Sequence, residues 1–271
     1  MKLRIATYNI HKGVSTIGSR PRVLGLKQAL TGIEADVLFL QEVQGRDDHL
    51  AARYSAGWPT QAQYDFLCRA DQQAAYGMNA VYDYGHHGNA LLSSFPIATS
   101  NNQDISDHAY ESRGILHCTL QSPTAEIHCY VVHLGLLGGG RRRQTEALIK
   151  AVGNTSPPGS PIIIAGDFND WGNQLGPSLR SDLNVSEVFD HRSVEAHLSG
   201  YMRHFNRRAS SRIQPARTFP ALLPWFRLDR IYVRGFKVDS AQVLSGAPWT
   251  KLSDHVPILA TLDLPDSIIT V

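Results

Sequence analysis

Eight short runs of apolar or alternating residues punctuate a chain of 271 residues, at 3–10, 37–43, 89–93, 114–120, 127–134, 162–166, 228–233 and 258–264. Each is short for a helix with a repeating apolar stripe and reads instead as a strand. Between the first two, Val23, Leu24, Leu26, Leu30 and Ile33 fall close to a 3.6-residue period, which predicts an amphipathic helix over 23–33 that covers one face of a sheet. Strands interleaved with helices in this way restrict the chain to layered α/β architectures.

The runs 114–120 and 127–134 are separated by QSPTAE, a polar, proline-containing connection that makes them an antiparallel hairpin. A turn centred near Ser122 to Thr124 sets Cys118 opposite Cys129 and carries Arg113 close to His133. Residues 141–152 read as a second helix whose first turn holds Arg141, Arg142 and Arg143. Positive charge there opposes the helix dipole, so these arginines read as a solvated face, with phosphate contact as the alternative. The connector GNTSPPGSP at 153–161 is too short and too tightly bracketed to divide the chain, and no solenoid or propeller repeat is visible, so one domain is expected over 1–271.

With 42% hydrophobic and 18% charged residues the chain can bury a core, which excludes a disordered class. Twenty-six basic against 24 acidic residues leave a formal charge of +2, too small to identify a polyanionic partner. Three cysteines cannot build a disulfide framework. MKLRIATYNI leads directly into a strand without the apolar core of a secretory signal, and no run is long enough to span a bilayer. A cytoplasmic location is the resulting expectation.

Several strands stop abruptly at polar groups, as α/β proteins do when they assemble a site beyond their strand ends. These are Asn9 and His11 in TYNIHKG, Glu42 in VLFLQEV, His133 in VVHLGL, Asp167 and Asn169 in IIIAGDFND, and Asp254 and His255 in KLSDH. Asp229 in LDRIYV lies at the start of its strand. Any one of them alone is an ordinary turn former or an exposed strand-end charge.

Together, in this order, TYNIHKG, LQEV, GHHGNALLS, RGILHC, VVHLGL, AGDFNDW, ARTFP, LDRIYV and LSDH resemble the endonuclease/exonuclease/phosphatase superfamily, and particularly a bacterial subgroup of uncharacterised members. The resemblance runs from Ile5 to about Leu264. It implies an α/β fold of four layers, two mixed sheets packed face to face with helices outside, and a metal-dependent phosphoester hydrolase with its site at one end of the sheets.

A hard divalent cation suits an anionic phosphodiester because it neutralises charge that develops on the phosphate and leaving oxygens. The resemblance makes that cation Mg²⁺, with Mn²⁺ as a substitute, held by Glu42 with Asn9 and Asp254. It gives Asp167 the orientation and deprotonation of the attacking water, with Asn169 beside it. Asp229 would hold the imidazole of His255, His133 would approach the scissile phosphate, and Arg113, Asn89 and His11 would bind phosphate. His11 stands where abasic-site endonucleases carry a metal-associated aspartate, which argues against specialised abasic-site repair. His86 and His87 suggest zinc but lack a partner at ligand spacing.

Residues 201–217 contain Arg203, Arg207, Arg208, Arg212 and Arg217 and no acidic residue, a basic stretch suited to backbone phosphates. On this ground DNA is the leading expected substrate, cleaved with little sequence preference. The alternative is a phospholipid, a sphingomyelin-like lipid or a small phosphorylated molecule, for which Trp225 and Phe226 would form an aromatic rim at a membrane. A third reading is an inactive binding protein on the same fold. A monomer without a protein partner is expected.

Overall fold

The computed structural model describes residues 1–17, 20–55, 57–190 and 216–265. In chain order the elements are β1 (Lys2–Asn9), α1 (Val23–Gly32), β2 (Val37–Asp47), α2 (Asp48–Arg53), α3 (Gln63–Leu67), β3 (Gln73–Tyr82), β4 (Gly85–Ser93), β5 (Ile97–Asp104) and β6 (Gly114–Gln121). They continue with β7 (Glu126–His133), α4 (Gly138–Thr155), β8 (Ile162–Asp167), α5 (Gly176–Leu183), β9 (Ser186–Glu187), β10 (Asp229–Arg234), β11 (Lys237–Val243) and β12 (Ile258–Asp263).

Among the described residues the strands form two six-stranded mixed sheets, ordered β11-β12-β1-β2-β4-β3 and β5-β6-β7-β8-β10-β9. Each has a central parallel pair, β1 with β2 and β7 with β8. A parallel neighbour needs a crossover, and α1 and α4 supply the two crossovers. All eight apolar runs are strands, and the predicted hairpin has the expected register, with Cys118 opposite Cys129.

Period-two alternation divides each central strand between two cores. Leu3 and Ile5 of β1, Phe39 of β2, Cys129 and Val131 of β7, Ile163 and Ala165 of β8, and Ile231 and Val233 of β10 meet between the sheets. On the outer face of the first sheet, Ala6, Tyr8 and Leu38 pack under Val23, Leu26 and Leu30 of α1. On the outer face of the second, Tyr130, Val132 and Ile164 pack under Leu148 and Val152 of α4 and Leu179 of α5. Helix, sheet, sheet and helix make the four layers.

The inner faces are apolar at one end and polar at the other, and the same alternation sets both. On β1 the inner row continues Leu3, Ile5, Thr7, Asn9; on β8 it continues Ile163, Ala165, Asp167; on β7, Cys129, Val131, His133. Register aligns the polar ends of neighbours: His133 lies opposite Asp167, and Asp167 lies opposite Asp229. Because β10 runs antiparallel to β8, a residue at the start of its strand arrives at the same end as one at the finish of β8.

The helix predicted at 141–152 begins three residues earlier, at Gly138, and Arg141 is buried rather than solvated. Its guanidinium donates to the carbonyls of Gly135 and Leu136 and lies over the ring of Trp171, while Arg143 pairs with Asp107. Both are thus engaged in structural contacts. The arginines at 203, 207, 208 and 212 lie outside the described residues; Arg217 lies over the ring of Trp225.

Candidate active site

Glu42 interrupts β2. Its φ of 55° coincides with a register shift between Leu40 and Val43, a bulge that turns the carboxylate out of the ladder and into the cleft at the polar end of the sheets. A second left-handed turn follows β1, where His11, Lys12 and Gly13 have φ of 47°, 56° and 71°. The Asn9 side-chain oxygen accepts from the His11 backbone N–H at 3.1 Å and holds this turn, which brings Lys12 to the cleft wall. On β8, Gly166 precedes Asp167 for a steric reason: a Cβ there would sit 1.9 Å from the Val132 carbonyl oxygen. Any side chain would prise β8 from β7 and displace Asp167.

The cleft, about 520 Å³, is lined by Asn9, Lys12, Glu42, Arg113, His133, Asp167, Asn169, Asp254 and His255, with an apolar wall from Leu136, Trp171, Phe219, Phe226 and Leu228. At its floor the His255 Nδ1 lies 2.8 Å from Asp229 Oδ2, and the His255 Nε2 lies 3.7 Å from Asp167 Oδ2. His133 Nε2 approaches the same Asp167 oxygen at 3.6 Å. Asp167 is oriented through its other oxygen, which accepts from the Asn169 backbone N–H at 2.9 Å. The Asn169 side chain donates to the Leu134 carbonyl and so fixes the loop after β7 rather than the carboxylate.

Asn9 joins the two sheets. Its amide donates to Glu42 Oε1 and to Asp167 Oδ2, both at 3.2 Å. Ser253 donates to the Asn9 carbonyl at 2.7 Å, with Asp254 Oδ1 3.2 Å from the same hydroxyl, tying the loop before β12 to the end of β1. The threonine of ARTFP completes the frame, since Thr218 accepts from the Asp229 N–H through its hydroxyl and from the Val256 N–H through its carbonyl.

Burial and charge divide the titratable groups. Burial opposes a charge on His255, but Asp229, hydrogen-bonded to the ring, outweighs it and holds the imidazole up at about 10. His133 moves the other way: burial, with Arg113 nearby, pushes it well below its usual value and keeps it neutral. Burial raises Asp167 to about 6 even though the His255 charge pulls it down.

Two sets of groups could meet a cation. Asp167, Asp229 and His255 offer atoms within 4.8 Å of one another. Their imidazole donates Nδ1–H to Asp229 and is held protonated, so it has no lone pair to give at neutral pH. Glu42 and Asp254 are different: both are partly exposed, and both face His11 Nδ1, at 4.0 and 3.4 Å, with no lysine or arginine pairing either among the described residues. Carboxylate oxygens beside the Asn9 amide are the donor set a hard divalent cation takes.

The structure therefore brings Asn9, Glu42, Arg113, His133, Asp167, Asn169, Asp254 and His255 to one cleft, with Asp229 directly behind His255. His11 sits at its edge against Asp254. Asn89, expected at the phosphate, is instead buried behind the cleft and donates across the sheets to the Gly114 and Val131 carbonyls. Arg113 is anchored by Nε to the Leu134 carbonyl and lines the wall beside His133. Sequence reasoning missed Lys12, His87, Trp171 and Phe219 as lining residues. Lys12 stands inside TYNIHKG, where a basic residue beside a turn glycine was the available signal. Phe219 packs its ring on His255 at 5.0 Å, which nothing in its local sequence announces.

The model of the Endonuclease/Exonuclease/phosphatase family matches residues 6–255. The chain is 37% identical over 264 residues to the uncharacterised protein YbhP of Escherichia coli K12, covering 96% of each. Among solved structures it resembles the human Nocturnin catalytic domain with bound sulfate anion (TM-score 0.68, 19% identity, 97% of this chain and 95% of that one). It also resembles a mannosyl-6-phosphatase of Bacteroides thetaiotaomicron (TM-score 0.69, 17% identity, 96% and 99%). At such identities these structures speak for the fold, while the family match spans every motif from the end of β1 to the loop before β12. The chain belongs to the endonuclease/exonuclease/phosphatase family.

Proposed function

We propose that the protein is a Mg²⁺-dependent phosphodiesterase that cleaves a P–O bond by attack of water. The observation that carries the reading is the buried relay Asp229–His255–Asp167: a charged imidazole fixed at 2.8 Å from one carboxylate faces a second carboxylate at 3.7 Å. Asp167, raised by burial to about 6, is suited to take a proton from water, and His255 is suited to stabilise negative charge on the phosphoryl oxygens. Water contributes a hydroxyl to phosphorus, the bond to the leaving oxygen breaks, and that oxygen takes up a proton. Neutral His133 lies beside the same Asp167 oxygen, and Arg113 and Lys12 offer cationic contacts to the anionic substrate.

Glu42, Asn9 and Asp254 are the residues that would hold the cation, which supplies charge neutralisation at the phosphate and the leaving oxygen. The sulfate bound by Nocturnin is a tetrahedral oxyanion, in keeping with a phosphoryl site on this fold. One structural neighbour is a mannosyl-6-phosphatase, so the family reading alone leaves the alcohol open. DNA, the leading expectation from the sequence, drew chiefly on arginines outside the described residues, and retains Arg113, Lys12 and the exposed ring of Trp171 as support. The test is hydrolysis of bis(4-nitrophenyl) phosphate with Mg²⁺ or EDTA, with supercoiled plasmid in parallel. Cation-dependent release of nitrophenol supports the reading; no release at any divalent cation contradicts it.

A further inference from the structure

The wall of the cleft is more apolar than a phosphate site requires. Leu136 and Leu137, in the loop between β7 and α4, are 61% and 64% exposed, and Leu136 also lines the cleft. A second protrusion comes from residues 219–226, FPALLPWF, where Leu222, Leu223 and Trp225 are 85%, 74% and 62% exposed. Exposed leucines scattered singly need no explanation, but clusters of them bordering one functional cleft do.

These residues are held out rather than left loose. Phe219 and Phe226 form a bridge that closes the base of the second protrusion, and the Phe226 N–H donates to the Phe219 carbonyl at 2.7 Å. The Ala221 N–H donates at 2.6 Å to the carbonyl of Asp254, a cleft residue, so the protrusion is tied to the site itself. The first loop is braced by the buried Arg141, which donates to the carbonyls of Gly135 and Leu136 and covers Trp171. Trp171 in turn meets Phe226 edge-on at 6.4 Å, joining the two loops along one rim.

We propose that this rim docks on an anionic phospholipid bilayer, inserting Leu222, Leu223 and Trp225 beside Leu136 and Leu137, and that the cleft thereby receives a phosphodiester headgroup. The chemistry of the tips decides between occupants. Leucine has no π-face for a base to stack on, and a leucine can enter a duplex only by unstacking its base pairs, at a free-energy cost for each step. A bilayer offers both an apolar interior for the leucines and an interfacial layer in which tryptophan rings settle. The charges agree: the Arg217 guanidinium lies 5.1 Å over the Trp225 ring, and Lys12 and Arg113 line the cleft, so a negative surface is favoured.

The choice of headgroup rests on the phosphodiesterase reading, but docking does not, and the experiment separates them. The full chain is sedimented with vesicles of phosphatidylcholine containing 30% phosphatidylglycerol or of phosphatidylcholine alone, and Trp fluorescence is recorded in the same samples. Wild type should pellet with the anionic vesicles and shift its emission to the blue. L222S/L223S should lower the partition coefficient about tenfold or more, and W225F should remove most of the blue shift. Neither variant alters a lining residue, so hydrolysis of bis(4-nitrophenyl) phosphate should stay within about twofold of wild type. L137S gives an independent check on the other loop and should also weaken sedimentation. Pelleting that L222S/L223S leaves unchanged, or no pelleting at all, overturns the proposal, as does plasmid binding lost in the variant without vesicle binding. Self-association abolished by L222S/L223S, with no vesicle binding, assigns the rim to a second copy and overturns it too. Vesicle binding without hydrolysis of any phosphodiester keeps the docking surface and removes the phosphodiesterase reading instead.

Discussion

Glu42 and Asp254 leave 20% and 21% of their side chains in water, whereas Asp167 and Asp229 leave 2% and 1%. Glu42 lies on β2 and Asp254 in the loop that leads into β12 of the same sheet, whereas Asp167 and Asp229 lie on the neighbouring β8 and β10 of the other sheet. A hydrated carboxylate can exchange its ligands and keeps its charge at little cost, which suits it to hold a cation. A dry one feels every neighbouring charge strongly, which suits it to move or hold a proton. Asn9 touches one carboxylate on each side, at 3.2 Å in both cases, and so links two environments that would otherwise share only the cleft.

If the division is right, substitutions on the dry side should act on the chemical step and those on the wet side on cation dependence. The largest effect is expected for Asp167→Asn, which keeps the shape but removes the base: kcat should fall by about 10³-fold or more with KM little changed. His255→Ala should abolish measurable turnover by a similar factor while far-UV circular dichroism shows the fold retained, with a lowered Tm because the buried Asp229 carboxylate loses its partner. A Glu42→Ala variant that kept its metal requirement unchanged would break the division. The expected result is a rise of about 10- to 100-fold in the Mg²⁺ concentration giving half-maximal rate, with much of kcat restored at saturation.

The pH profile sharpens the same contrast. Asp167 must be ionised to accept a proton, so activity should fall as pH drops through about 6. His255 must be charged, so the alkaline limb should lie near 10. Asp229→Asn removes the charge that holds the imidazole up, and the alkaline limb should move down toward the usual histidine range near 6.5. An unchanged limb would separate His255 from the alkaline ionisation. Smallest in its effect on rate should be Asn89→Ala. Its amide bonds the Gly114 and Val131 carbonyls of the facing sheet, so the variant should lose about 1–3 kcal/mol of stability in denaturant melts with kcat reduced only a fewfold.

Much of this was legible in the sequence because burial writes a strong pattern. β1, β2, β7, β8, β10 and β12 are buried on both faces, and their apolar runs announce them. β3, β5, β9 and β11 were not legible. β5 and β11 carry exposed, polar side chains such as the TSNNQ of β5, chemistry suited to unattractive sheet edges and indistinguishable locally from a loop, while β3, QAAYGMNAVY, mixes exposed Met78 and Val81 with small, half-buried residues and shows no clean alternation. β9 has two residues, too few to show a pattern.

In the site, polar residues at the ends of buried strands could be found because they break an apolar run. Asn89 broke such a run too, yet its side chain crosses to the facing sheet, a choice set by what lies opposite rather than by its neighbours in sequence. Arg141 looked like a solvated charge for the same reason. The carbonyls that satisfy it belong to a loop whose path is fixed by the packing of α4 against β7 and β8. Trp171 and Phe219 owe their place at the cleft to tertiary contacts, the one under Arg141 and the other against His255.

The central claim is that the dry wall performs chemistry that depends on a cation held by the wet wall. It is tested most directly by one titration: initial rates of bis(4-nitrophenyl) phosphate hydrolysis against Mg²⁺ concentration, for wild type, Asp167→Asn and Glu42→Ala purified identically after EDTA treatment. The account predicts saturable Mg²⁺ activation in wild type, the same midpoint with a collapsed plateau in Asp167→Asn, and a shifted midpoint with a largely retained plateau in Glu42→Ala. Wild-type turnover unaffected by EDTA, or variants whose midpoints and plateaus change in the opposite sense, would contradict it.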